Sequence, residues 1–401
     1  MTDLSGPPWS PPDPAELPEW RSRMVSAHQQ TAAYQSMALA INAGRTNLLP
    51  LVPGIHASPG AVGAQILLRQ EAQALREAEL YYATGDMTSL ALAAAASPPK
   101  EAFDRRRLPA ERGLIMFAEP IGGYTEDVGA ALTGTVAGRA GVAATVTVPI
   151  VAASWTTWSP DLFTLSDARP GERIRWVYRT AADGPQEMTA AHTGVWVTYY
   201  SASGKFSALP AATVLGSMAD GTVMTAGDIT AAGELPGQGP LTWDTEVLLV
   251  DGAGFAAARP DTTDQWTHVL YTAWQMMSQR GKGQLTDLAE IPRPRAGRKR
   301  DAREGITDTG AVRIVHVHSA HRPTPAAAEQ DAAASSGRRA PQWTCRWPVR
   351  PHRRDHCMNP GLHAEGGCTH EERIIPAVVK GPADKPLRLR ERVNLWDSQP
   401  K

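Results

Sequence analysis

The sequence predicts an α+β protein, and three observations carry that expectation. Residues 20–97 hold apolar positions at helical spacing. From residue 113 onward, short runs rich in Val, Thr, Tyr and Trp alternate with Gly, Pro and Asp clusters. One amphipathic segment, with Trp266 and Trp274 on its apolar stripe, then interrupts those runs. A helix repeats its buried face about every 3.6 residues and a strand every second residue, so a change of period marks a change of element. The expected organisation is a disordered Pro-rich tail (1–19), a helical region (20–112), and a mostly antiparallel β-rich central domain with a Trp-rich packing helix at its C-terminal end (113–283). A basic segment, strand and linker (284–340) and a small basic C-terminal β module (341–401) complete it.

Each element has its own signal. "WRSRMVSAHQQTAAYQSMALAINAG" (20–44) predicts a helix stopped at Gly44, because glycine accepts the left-handed backbone that closes a helix. In "AQILLRQEAQALREAELYYATG" (64–85), Leu67, Leu68, Ala72, Leu75, Ala78 and Tyr82 fall on one helical face. "MTSLALAAAAS" (87–97) adds a third helical segment before Pro98. In "RIRWVYRT", Ile174, Trp176 and Tyr178 alternate with Arg173, Arg175, Val177 and Arg179, the pattern of a half-exposed antiparallel strand. Over 262–283 the apolar stripe Trp266, Val269, Leu270, Ala273, Trp274 and Met277 predicts a helix packed on the sheet. Thr262 and Gln265 have capping-box spacing there. "AVRIVHVHSAH" (311–321) reads as a strand, followed by an Ala/Ser/Pro linker.

Composition narrows the function classes. Three cysteines in 401 residues argue against a disulfide framework. The start "MTDLSGPPWSPPDPAELPEW" is not a secretory leader, and the longest apolar stretch, "VAATVTVPIVAAS", is too short to span a bilayer. A cytoplasmic protein without a membrane partner is therefore expected. The net charge of −1 conceals a division. After residue 290 there are 21 basic against 12 acidic residues, and before it 19 against 29. A basic module on an acidic body fits either a polyanionic partner or attraction between the two parts.

Two clusters carry chemistry. "IPRPRAGRKRDAREG" includes Arg298, Lys299 and Arg300, and the C-terminal strands alternate Arg346 and Arg350, then Arg388, Arg390 and Arg392, with apolar residues. Guanidinium forks on one sheet face suit phosphate oxygens, so these eight residues are candidate DNA or RNA contacts. The stretch "WTCRWPVRPHRRDHCMNPGLHAEGGCTH" (343–370) holds every cysteine and four histidines. Within it Cys357, His363, Cys368 and His370 are candidate ligands for one structural zinc, since thiolate and imidazole are the donors of closed zinc sites. Cys345, His352 and His356 are further candidates, and a reduced, metal-free surface loop is the alternative. "HVHSAH" (His316, His318, His321) lacks the chain length after it that a hydrolase barrel needs. No zincin, phosphate-loop, nucleophile-elbow or dinucleotide motif is present.

At "WTCRWPVRPH" and "KGPADKPLRLRERV" the chain resembles an uncharacterised family of actinobacterial proteins encoded on phages and integrative elements. That resemblance implies a mobile-element context and transfers no activity and no catalytic residue. Where such proteins carry a Trp-containing stretch after the histidine, this chain has "RRDHCMNPGLHAEGGCTH". The leading expectation is a non-enzymatic, nucleic-acid-associated protein. The alternatives are a protein–protein interaction or structural component docking an acidic partner, and a metal-dependent enzyme with a dispersed site.

Overall fold

Residues 9–52, 58–97, 99, 101–127, 145–160, 174–180, 184–202, 214–217, 223–225, 239–279, 285–307, 310–317, 344, 346–349, 352–357, 369–375, 378–380 and 385 are described by a computed structural model, the last strands as backbone. The chain is an α+β protein built on a mixed sheet. Its path runs β11 (Leu241–Val250), β8 (Gly194–Ala202), β5 (Thr145–Trp158), β3 (Arg112–Phe117), β2 (Glu79–Ala83), β13 (Val312–Val317), β12 (Thr286–Ile291), with β4 (Gly122–Asp127) also paired to β5. β3, β2 and β13 run parallel, and the other pairs are antiparallel.

Helices cover both faces. On one, α4 (Gly85–Ala94) and α5 (Thr263–Ser278) pack over Tyr81, Ala83, Ile115, Phe117, Trp155, Val195 and Val197. On the other, α1 (Leu17–His28) and α3 (Pro59–Glu77) pack over Leu80, Tyr82, Leu114, Met116 and Tyr200. The alternation along β2 and β3 is the period-two rule applied to strands buried on both faces. α2 (Thr31–Asn42) and α3 form a further core with β1 (Leu48–Leu51) and β6 (Arg175–Thr180), around Trp158, Trp176 and Trp196. β1, β6 and β7 (Gly184–Met188) make a small antiparallel sheet. β9 (Val214–Ser217) and β10 (Val223–Thr225) form a separate pair.

The aromatic residues lock these layers. Trp155 meets Trp274 of α5 edge-on at 5.2 Å and Tyr81 at 5.6 Å between ring centroids. Gly113 is required beneath it, because a Cβ there would collide with the Trp155 indole.

Several sequence expectations change in detail. The helix read through Tyr82 ends at Glu77, and Glu79–Ala83 is strand β2. Tyr82 keeps its neighbours Ala72, Leu75 and Ala78, but reaches them from the sheet. A central parallel strand is apolar throughout, so its residues also satisfy a helical period. The single helix over 20–44 is two, broken at Gln29–Gln30, and Gly44 closes the second with a φ of +70°. Thr262 precedes α5 but its hydroxyl donates back to the Arg259 carbonyl at 2.7 Å, so no capping box forms. The Pro-rich segment is docked from Trp9 onward. The Trp9 indole donates to the Phe117 carbonyl at 3.1 Å, and Leu17 is fully buried. Two aromatic anchors, Trp9 and Trp20, edge-on at 6.2 Å, offset the entropy that otherwise leaves Pro-rich chain unfolded.

Candidate functional site

The basic segment 291–305 contains α6 (Arg295–Arg303), a nine-residue helix that buries only Gly297 and Asp301. It has almost no apolar face, so its attachment comes from charge. Arg293, just before it, donates from Nε and Nη2 to the two Asp301 carboxylate oxygens at 3.0 and 2.9 Å. Both side chains are buried, Asp301 completely. The Asp301 hydrogen bond raises the Arg293 guanidinium further above its ordinary value, keeping the charge fixed. Glu19 of α1 receives Arg293 Nη1 at 3.3 Å and also Arg300. Gly297 admits the Arg293 side chain, since a Cβ at 297 would lie 2.6 Å from its Nε.

This clamp leaves a row of cations outside. Arg295, Arg298, Lys299 and Arg303 are exposed and, among the described residues, none meets a carboxylate. Arg298 donates to the Arg293 carbonyl and Arg303 to the Lys299 carbonyl, bonds that orient them without cancelling charge. At about 1.5 Å per residue, positions 295 to 303 extend roughly 12 Å along the helix. Like charges at this spacing cost a helix about 0.2–0.5 kcal/mol per pair, a cost that a facing anion removes.

The predicted phosphate contacts thus divide. Arg298, Lys299 and Arg300 share α6, with Arg300 engaged by Glu19. Arg346 is not free. Its Nη1 and Nη2 clasp the Asp86 carboxylate at 2.6 and 2.9 Å, and its Nε donates to the Lys385 carbonyl at 2.8 Å. Asp86 lies in the first turn of α4, so this pair ties the C-terminal region to the body. Arg350, Arg388, Arg390 and Arg392 lie outside the described residues. The strand carrying Trp347–Val349, β14, pairs with β17 (Val378–Lys380).

Of the candidate zinc ligands, Cys357 and His370 are brought together. β15 (His352–Cys357) and β16 (His370–Ile375) form an antiparallel ribbon whose register sets Cys357 opposite His370. His363 and Cys368 lie outside the described residues, as do Cys345, His318 and His321. Among the side chains described, no three His, Cys, Asp or Glu groups converge on a metal position.

Sequence reasoning missed a buried polar cluster. Glu71 of α3, 2% exposed, accepts from Ser154 Oγ and Tyr200 Oη at 2.5 Å each and from Thr198 Oγ1 at 3.0 Å. Burial raises its carboxyl above the ordinary value, and the three hydroxyls pull it partly back. All four groups are sealed between α3 and the sheet, which suits fastening the helix and not contacting a substrate. Glu246 acts likewise on the other core, accepting from the Asn47 and Leu48 amides and the Trp243 indole, which joins β11 to β1. A polar residue within an apolar stripe is the only sequence signal of such a cluster.

In comparison with known proteins the chain matches no family model, no curated protein and no solved structure. No helix among the described residues is long and apolar enough to cross a membrane.

Proposed function

We propose a nucleic-acid-associated protein that binds a phosphate backbone through α6, as a binding component and not a catalyst. The observation that carries this reading is the exposed row Arg295, Arg298, Lys299 and Arg303, without carboxylate partners among the described residues, on a helix held by the buried Arg293–Asp301 pair. A helix this polar gains little from packing. Three guanidinium groups and one ammonium along one helix offset their mutual repulsion against a dense anion, and a nucleic-acid backbone supplies one. Arg350, Arg388, Arg390 and Arg392 would extend the same contact, and the resemblance to mobile-element proteins is in keeping with it. Binding of a labelled duplex and a labelled single-stranded RNA, followed by anisotropy, tests the reading and tells the two polymers apart. Replacing Arg295, Arg298, Lys299 and Arg303 together by Ala is expected to abolish binding at moderate salt. Undiminished binding by that variant removes α6 from the interface.

A second reading rests on Arg346. Its bidentate pair with Asp86 favours a basic C-terminal region that docks on the acidic body, as an interaction component would. Asp86→Ala then loosens the C-terminal region, read as faster amide exchange in Trp347–Val349 and Val378–Lys380, and leaves nucleic-acid binding by α6 intact.

A further inference from the structure

We infer that one face of the β15/β16 ribbon is a zinc site made by Cys357, His370, Asp355 and Glu372. The register supplies the argument. In an antiparallel pair, residues directly opposite share a face, and positions two apart along a strand share it too. Cys357 stands opposite His370, and the next pair on the same face is Asp355 opposite Glu372. Four potential metal donors therefore occupy a two-by-two block, with about 6.8 Å between successive positions on one strand.

Without a cation this block is unfavourable. Two carboxylates directly opposite each other destabilise a ribbon. Arg353, the next position on that face, lies opposite Ile374 and contributes a single positive charge. One divalent ion together with Arg353 balances the two carboxylates and the thiolate that forms when the ion displaces the Cys357 thiol proton. Zinc accepts thiolate, imidazole and carboxylate oxygen in a closed set of four. The ribbon also needs a fastener, since β15 and β16 pair with no third strand among the described residues. Isolated two-stranded ribbons are marginal in water.

The same register narrows the candidates read from the sequence. His352 and His356 fall on the opposite face, with Arg354 and Arg373, so they do not belong to this set. Asp355 and Glu372, which carry no metal signal in the sequence, enter it.

The test uses the full chain, purified without metal-affinity resin or chelator and examined by elemental mass spectrometry. Roughly one zinc per chain is expected, as for a single closed site. It is lost in Cys357→Ser and His370→Asn and kept in a His352→Asn/His356→Asn double variant. Replacement by cobalt is expected to give a thiolate-to-metal charge-transfer band that Cys357→Ser lacks. Because those variants can unfold the ribbon, Glu372→Gln supplies the sharper check. On a metal-free ribbon it relieves a like-charge pair and raises thermal stability. On a zinc-bound ribbon it weakens the metal at least about tenfold in competition with a chelator. Absence of zinc in the wild-type chain, or zinc retained by Cys357→Ser, overturns the proposal. So does zinc lost in a His363→Asn/Cys368→Ser variant but unaffected in Asp355→Asn/Glu372→Gln.

Discussion

Glu71 shows how much a single side chain can carry in this core. Three hydroxyls from two strands converge on it, so truncation removes a partner from each of them at once. A buried polar group left unsatisfied costs about 1–3 kcal/mol, and the cavity adds to that. Glu71→Ala is therefore expected to lower unfolding stability by about 2–4 kcal/mol, within the range for breaking a buried network, measured by urea denaturation. His28 acts on the pH axis. Burial beside Tyr200 and Trp243 lowers its pKa from 6.5 to about 4, so the folded protein keeps it neutral where the unfolded chain would protonate it. Its contribution to stability is complete above pH 6.5 and is lost as pH falls toward 4. Glu71 runs the other way, since a carboxyl raised by burial favours the acid side. His28→Phe should flatten the acid limb of a stability–pH profile between those limits, whereas an unchanged limb would assign acid sensitivity elsewhere.

At the scale of elements, what could be read in advance follows the range of the forces involved. α5 was legible because Trp266, Val269, Leu270, Ala273 and Trp274 announce one buried face within a single helix. β6 was legible because Trp176 alternates with the exposed Arg175. β2 was not, because Leu80 and Tyr82 serve one layer while Tyr81 and Ala83 serve the other, leaving no period to see. The opposition of Asp355 and Glu372 depends on strand register, which 12 residues between Cys357 and His370 do not specify. α6 was visible as charge but not as a helix, since its anchor, Arg293 to Asp301, looks from sequence like two more charged residues in a basic run. That anchor makes a firm prediction. Removing one partner of a buried ion pair costs about 3–5 kcal/mol. Asp301→Ala should therefore unfasten α6, seen as loss of amide protection over 295–303 while the α5 amides stay protected.

Across the whole molecule, the excess of acid before residue 290 and of base after it acquires a layout. Part of the basic excess is used internally, in Arg346 on Asp86 and in Arg293 and Arg300 on Glu19. The remainder on α6 faces outward. The central claim is that this remainder meets a phosphate backbone, and the salt dependence of binding tests it most directly. Each phosphate contact contributes a slope of about −0.9 to log K against log salt on duplex DNA. The wild-type chain should bind more weakly as salt rises, and the Arg295/Arg298/Lys299/Arg303→Ala variant should lose about 3 from that slope, most of the four contacts. A slope identical in the two proteins, or no binding even at low salt, would contradict the account.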